Sequence, residues 1–293
     1  MISLRSILLF PLQADRLLVW LLRGLAGIAG GLVILILGFL LMETLPALRH
    51  IGLSRFFTDA TWHPADALYN LTPMLWGTLF ATAGAVLVAT PLGILSALFA
   101  RYYAPRFMGN IFRKGIEILA GIPSVVYGLW GLLVLVPVIA QWQLPGPSLL
   151  AGMVILTAMI LPTILLVADS AFAKVSQPSI QGAVALGIGR WSIIQRIIIP
   201  ASKSALLTGI ILQTGRAMGE TMAVLMVCGN VVQTPTSVFA PVRTLTGNIA
   251  LEMAYAVGDH RAALFLSGLL LMGMVILLVM TAEGIHRGHV HAL

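Results

Sequence analysis

The sequence predicts an all-α polytopic membrane protein: six transmembrane helices and a helical loop on the cytoplasmic side. Three observations predict it. Of 293 residues, 59% are hydrophobic and only 9% charged, against about 25% charged in soluble domains. Mean hydropathy is +1.01. The apolar residues gather into runs of span length, roughly 20 residues or more, and the basic residues lie between the runs, distributed unequally across the membrane. The net charge of +7 is therefore read as topology and not as nucleic-acid binding.

The runs give spans at 17–42, 73–99, 116–140, 149–169, 204–228 and 262–282. The first follows a short basic lead with Arg5 and Arg16. It is longer than the apolar core of a secretory signal, about 7–15 residues, and no small-residue cleavage site follows. It reads as a retained anchor, with Arg23 snorkelling to the interface. With the N-terminus inside, twelve Lys and Arg fall on the cytoplasmic side and four outside, Arg49, Arg55, Arg243 and Arg261. That bias places both termini in the cytoplasm. The longest extracytoplasmic segments, 43–72 and 229–261, do not read as folded domains. The lone cysteine, Cys228, allows no disulfide within the chain and reads as a small packing residue.

The spans are dense in Gly and Pro, as in AGIPSVVYGLWG with Gly121, Pro123 and Ser124. Two readings stay open: kinks with close helix packing, or a bend at Gly121, Pro123 and Ser124 that serves as a gate or hinge at the inner end of the third span. Asp169 and Glu117, near inner ends of spans, read as snorkelling to water.

The segment between spans four and five exceeds thirty residues, too long for a simple connector. It reads as two short helices. The first starts at Pro178 and Ser179 with Ser176 as cap, shows Ile180, Ala183, Val184 and Leu186 as an apolar face, and is broken by Gly187 and Gly189. The second, Arg190 to Ile199, is ended by Pro200. Such a pair fits a partner's groove, or the lipid interface with Arg190 and Arg196 at headgroups.

QGAVALG, nine residues, then Ile197, Ile199 and Pro200 resembles the "EAA" loop of bacterial ABC importer permeases. Gln181 replaces the family's Glu and Gly182 its first Ala, while Ala183, Gly187, Ile197 and Pro200 keep the spacing. The resemblance implies a type I importer permease fold. It also implies coupling to a cytoplasmic ATPase through Gln181, Gly182, Ala183, Gly187, Arg190, Arg196 and Pro200. Two further stretches, LAGIPSVVYGLWGLLVLVP and GRAMGETMAVLMVCGN, resemble the phosphate-specific transport permeases, the PstC-type subunit more than the PstA-type. From that resemblance follow the expected partners: a second homologous permease of PstA type, two copies of the ATPase subunit and an extracytoplasmic phosphate-binding protein, all at a lipid bilayer. Residues 1–72 are then an anchor and outer loop, and 73–293 a permease core with its coupling loop at about 170–203. The chain holds no Gly-Lys-Ser/Thr, hence no P-loop. No catalytic residue, metal site or cofactor is expected.

Arg216 and Glu220 stand four residues apart in an apolar run. Thirteen residues beyond Lys203, Arg216 sits roughly 20 Å along a helix, with Glu220 one turn further on the same face. A mid-bilayer charge costs about 2.5–3.5 kcal/mol and marks a bundle interior or a water-filled path. A guanidinium suits phosphate oxygens. A carboxylate accepts the P–OH that phosphate carries and sulfate lacks. Arg216, Glu220 and Thr221 are therefore the substrate-path candidates, with Asn230 as an extension. The structural alternative is an ion pair that fixes helix packing, or an Arg216 paired with a sister subunit. His286, His289 and His291 suggest metal binding or, alternatively, a flexible tail. A permease for another oxyanion such as molybdate or sulfate remains an alternative, as does a stand-alone channel or secondary transporter.

Overall fold

The computed structural model describes the backbone of residues 4–290 and the side chains of residues 17–281. The basic lead with Arg5 and Arg16, together with Arg287, His286, His289 and His291, lies outside the described side chains.

Six helical stretches among the described residues are long and apolar enough to cross a membrane: Leu17–His50, Thr72–Tyr103, Ser124–Trp142, Leu149–Ala173, Arg190–Met218 and Gly258–Thr281. Their number agrees with the apolar runs. Helix α1 (Leu4–His50) packs along α13 (Gly258–Val290). The centre is α3 (Thr72–Leu98) against α7 (Leu149–Ala173), with α10 (Ile199–Met218) beside both. Small residues make the close approach: Ala81, Ala85 and Ala89 of α3 are fully buried in one core with Ile155, Met159 and Ile160 of α7. A Cβ on Gly93 would come within 2.8 Å of Ile164. Without a hydrophobic drive between helices in lipid, such close packing is what holds spans together.

Several boundaries differ from the apolar runs. The third span starts at Ser124. The preceding segment forms a separate helix, α4 (Arg106–Ala120), which ends at Gly121. The short α5 (Ser124–Trp130) then opens at Pro123, whose missing N–H costs nothing at a helix start. A π-turn, Gly131–Leu135, leads into α6 (Val136–Trp142). Pro200 does not end a helix. α9 (Arg190–Ile193) runs through a second π-turn, Ile194–Ile198, into α10 without interruption. In both cases the wider turn ends just before a proline, Pro137 or Pro200. Proline lacks an N–H and clashes with the carbonyl four residues back, and an i→i+5 turn relieves both.

The segments 43–72 and 229–261 form a joint cap, contrary to the sequence expectation. Here α2 (Arg55–Thr58) and a two-stranded hairpin, β1 (Trp62–His63) with β2 (Leu68–Tyr69), pack on α12 (Leu245–Glu252). Phe56, Trp62, Tyr69, Leu71, Leu245 and Leu264 share one buried core. Glu252 is 7% exposed and accepts from Trp62 Nε1 at 2.9 Å and Arg243 Nη1 at 2.7 Å, with His260 Nε2 at 2.8 Å. At the opposite end α8 (Gln177–Ala185) and α9 share a core with α3, α4 and α7.

Candidate functional site

Two helix breaks lie at the ends of spans, and the short helices that follow them pack on each other. α10 ends at Met218. The chain turns through Gly219, Glu220 and Thr221, and a short helix, α11 (Met222–Val227), follows. The expectation of one helix carrying Arg216 and Glu220 on a shared face is thus corrected: Glu220 lies beyond the helix end. Among the described residues no ion pair joins the two. Met-Gly-Glu-Thr leaves the apolar run intact, so hydropathy does not reveal the break.

Each polar group at the break has its own partner. Glu220 Oε1 accepts from the Ala223 N–H at 3.3 Å, at the first turn of α11. The Glu220 carbonyl accepts from Thr246 Oγ1 at 2.9 Å. That ties the turn to α12, whose N-cap, Thr244, accepts from the Gly247 N–H at 3.1 Å. Thr221 Oγ1 donates to the Gly219 carbonyl at 3.3 Å. Arg216, in the last turn of α10, places its charge at the negative end of the helix dipole. Its Nη1 reaches Thr163 Oγ1 of α7 at 3.5 Å. The side chain is exposed and Glu220 is half-buried.

The second break, at Gly121, Ile122 and Pro123, separates α4 from α5. Tyr127 bridges it, its hydroxyl donating to the Leu119 carbonyl at 2.9 Å. α5 sits against α11 so closely that a Cβ on Gly128 would come within 2.7 Å of the Ala223 backbone. Thr163 of α7 touches Arg216, and the packing of α5 on α11 thus sets the two breaks on adjoining helices. Tyr127 and Thr163 were not singled out by sequence reasoning; Tyr127, a polar residue one turn from the Pro123 break, offered a signal, whereas Thr163, inside α7, offered none. Irregular backbone at membrane depth is tolerated only where protein covers it or it lines a water-filled cavity. Asn230 does not extend a track from Glu220. It takes a left-handed conformation, φ 55°, and its Nδ2 donates to the Leu225 carbonyl at 2.8 Å, which closes α11.

At the other candidate region, α8 starts with Pro178 in its first turn, but Ser176 makes no side-chain cap bond. Gly187, at φ +74°, makes the turn to α9 with open space around it. Ile180 and Ala183 face the body of the chain. Val184, Leu186 and Trp191 are exposed, Leu186 at 81%. Gln181, Gly182, Arg190, Arg196 and Pro200 are exposed as well. Asp169 does not snorkel. It is 7% exposed, with Arg101 Nε at 2.8 Å and Arg113 Nε at 2.9 Å. Cys228 is buried, with its sulfur against Gly152.

Comparison with known proteins places this architecture. The chain is 39% identical over 231 residues to a Bacillus subtilis protein described as a probable ABC transporter permease, YqgH, covering 77% of this chain and 75% of that one. It is 34% identical over 254 residues to the phosphate transport system permease protein PstC of Mesorhizobium japonicum, covering 80% and 76%. It is 32% identical to the probable PstC of Methanocaldococcus jannaschii, covering 87% of each. A chain of a bacterial ABC transporter involved in the import of the acidic polysaccharide alginate has the same fold, at TM-score 0.66 and 14% identity over 94% of this chain and 98% of that one. The MetNI methionine ABC transporter, in an inward-facing conformation, aligns at TM-score 0.57 and 17% identity over 74% and 94%. Residues 89–287 match the binding-protein-dependent transport system inner membrane component family, and with six spans and two helix breaks this chain belongs to that family.

Proposed function

We propose that the chain is the transmembrane subunit of an ATP-driven importer of inorganic phosphate, PstC-like, supplying half of a translocation path. The observation that carries the reading is a pair of helix breaks on adjoining helices, with Arg216 exposed to one side. A second permease, homologous and of PstA type, would cover that side. Discontinuous helices crossing one another at mid-membrane are a recurrent way to build a transport site. Family membership implies an ATPase and a substrate-binding protein as partners, and several relatives carry phosphate permease names.

Arg216 supplies a fork of donors for the phosphate oxygens. Glu220, half-buried one short turn away, accepts the P–OH, and Thr221 adds a hydroxyl. Sulfate offers no such proton and meets the carboxylate as a like charge. Because no ion pair ties Arg216 to Glu220, both groups are available to a passing anion. Gly121, Pro123 and Ser124 act as the hinge beside this site. Both termini face the cytoplasm, as the basic residues direct. On that side the exposed face of α8 and α9 enters a groove of the ATPase, two copies serving the two permeases. Gln181, Gly182, Ala183, Gly187, Arg190, Arg196 and Pro200 set its shape and charge.

Phosphate uptake by assembled complexes carrying Arg216→Lys, Arg216→Gln or Glu220→Gln tests the path. Loss of a charged hydrogen bond, about 1.5–3 kcal/mol, should slow uptake roughly ten- to a hundredfold in Arg216→Gln, with Arg216→Lys between it and the native chain. Near-native uptake in all three removes these residues from the path.

A further inference from the structure

Helix α4 exposes more apolar surface than its neighbours cover. It touches the rest of the chain along one edge: Gly109, where a Cβ would come within 2.7 Å of the Ala100 carbonyl, Arg113 on Asp169, and buried Ile116. At 3.6 residues per turn, Phe107, Met108, Ile111, Phe112, Ile118 and Leu119 fall together on a second sector. All six are exposed, Phe107 at 75% and Ile118 at 72%. Arg106, Asn110, Lys114 and Glu117 form the third sector and are also exposed. The helix is thus amphipathic on its free surface, with one face for oil and one for water.

Its charge is unbalanced. Arg106, Arg113 and Lys114 stand against Glu117 on the helix itself. Among the described residues, the carboxylate paired with it from the packed elements is Asp169, shared between Arg113 and Arg101, whose Nε atoms lie at 2.9 and 2.8 Å. Two guanidiniums on one carboxylate leave positive charge uncompensated where α3, α4 and α7 meet. A helix with a broad apolar face and a basic polar face lies in the membrane interface and is drawn to anionic lipid. A protein partner on the apolar sector would leave this basic edge without a complement.

We propose that α4 is an interfacial helix whose cations Arg106, Lys114 and the Arg101–Arg113 pair bind the phosphodiester headgroups of anionic phospholipids in preference to zwitterionic ones. This binding is independent of which anion the complex transports.

The test uses the full chain assembled with its partners in nanodiscs, with Phe107→Cys carrying a fluorophore (Cys228 is buried and does not compete for the label). Brominated phosphatidylglycerol and brominated phosphatidylcholine serve as quenchers in a phosphatidylcholine background. Stronger quenching by the anionic lipid supports the proposal. So does a fall in that preference, about fivefold per removed charge, in Arg106→Gln and Lys114→Gln, with recovery in Arg106→Lys. Equal quenching by the two lipids overturns it. Loss of the preference in inorganic phosphate but not in chloride of equal ionic strength also overturns it, because screening is then matched and the cations bind the free anion. Absence of quenching by either lipid shows the face covered by protein, which overturns it too.

Discussion

Asp169 and Arg216 both put a charge on an apolar helix and meet the difficulty in opposite ways. Asp169 is buried and shared between Arg101 and Arg113. Asp169→Asn would leave two guanidiniums facing each other without their anion. Breaking a buried pair costs about 3–5 kcal/mol. The lower end applies here, because the two guanidinium side chains keep 24% and 36% exposure. The expected result is a clear fall in the unfolding temperature of the purified chain in detergent, and an unchanged temperature would contradict it. Arg216 stays exposed and joins none of the ion pairs among the described residues, whereas the structural alternative would require one. In the cap, Asp59 is subject to opposing effects: burial disfavours its charge, but the Tyr69 N–H at 2.9 Å and Arg55 outweigh it and hold the carboxyl below its ordinary 3.8. A lowered carboxylate pKa adds stability that is present above the unfolded value and lost as pH falls through the folded one. Cap stability should therefore decline below about pH 3.8, and Asp59→Asn should flatten that part of the profile, as read by hydrogen exchange of residues 54–72.

Among the elements, the turns carry the argument. Gly187 has a left-handed backbone and open space for a side chain, so a bulky β-branched residue there meets conformational cost alone, about 1–2 kcal/mol. Gly187→Val should leave the complex assembled yet separate ATP hydrolysis from transport, so that hydrolysis per phosphate moved rises. Unchanged uptake with unchanged stimulation of the ATPase would count against α8 as the coupling element. Gly128 is the opposite case: a Cβ meets the Ala223 backbone at 2.7 Å, which cannot yield as a flexible side chain can. Gly128→Val should force α5 from α11 and lower stability by about 1–3 kcal/mol, measurable by thermal unfolding. The number of spans was legible because length and apolarity alone determine it. The breaks were not equally so. Pro123 announced one, because proline carries its own backbone signature. Gly219 and Glu220 did not announce the other, because one glycine and one carboxylate barely change the hydropathy of the run. Pro200 misled in the other direction: a π-turn absorbed it, and nothing local in the sequence distinguishes that outcome from a helix end.

At the scale of the whole molecule, the chain is asymmetric between its two ends. One end is a folded cap whose polar centre links Trp62 to Glu252 across 190 residues of sequence. Such a contact has no periodicity to read, which is why two segments that look like loops prove to share a core. The other end gathers α4, α8 and α9 on one core and leaves Val184, Leu186 and Trp191 uncovered. The helical loop before α10 was legible through its length and spacing, whereas α4 was not, because its last turn merges into the third apolar run. Between the ends lie the paired helix breaks with Arg216, the place where the proposed second permease would close the proposed path. The direct measurement is phosphate uptake and ATP hydrolysis in proteoliposomes holding this chain, a second permease, the ATPase and the binding protein. Uptake that requires ATP and every component, and that sulfate does not replace, is the predicted result. Phosphate flux through this chain without the ATPase, or hydrolysis stimulated equally by sulfate, would contradict the account.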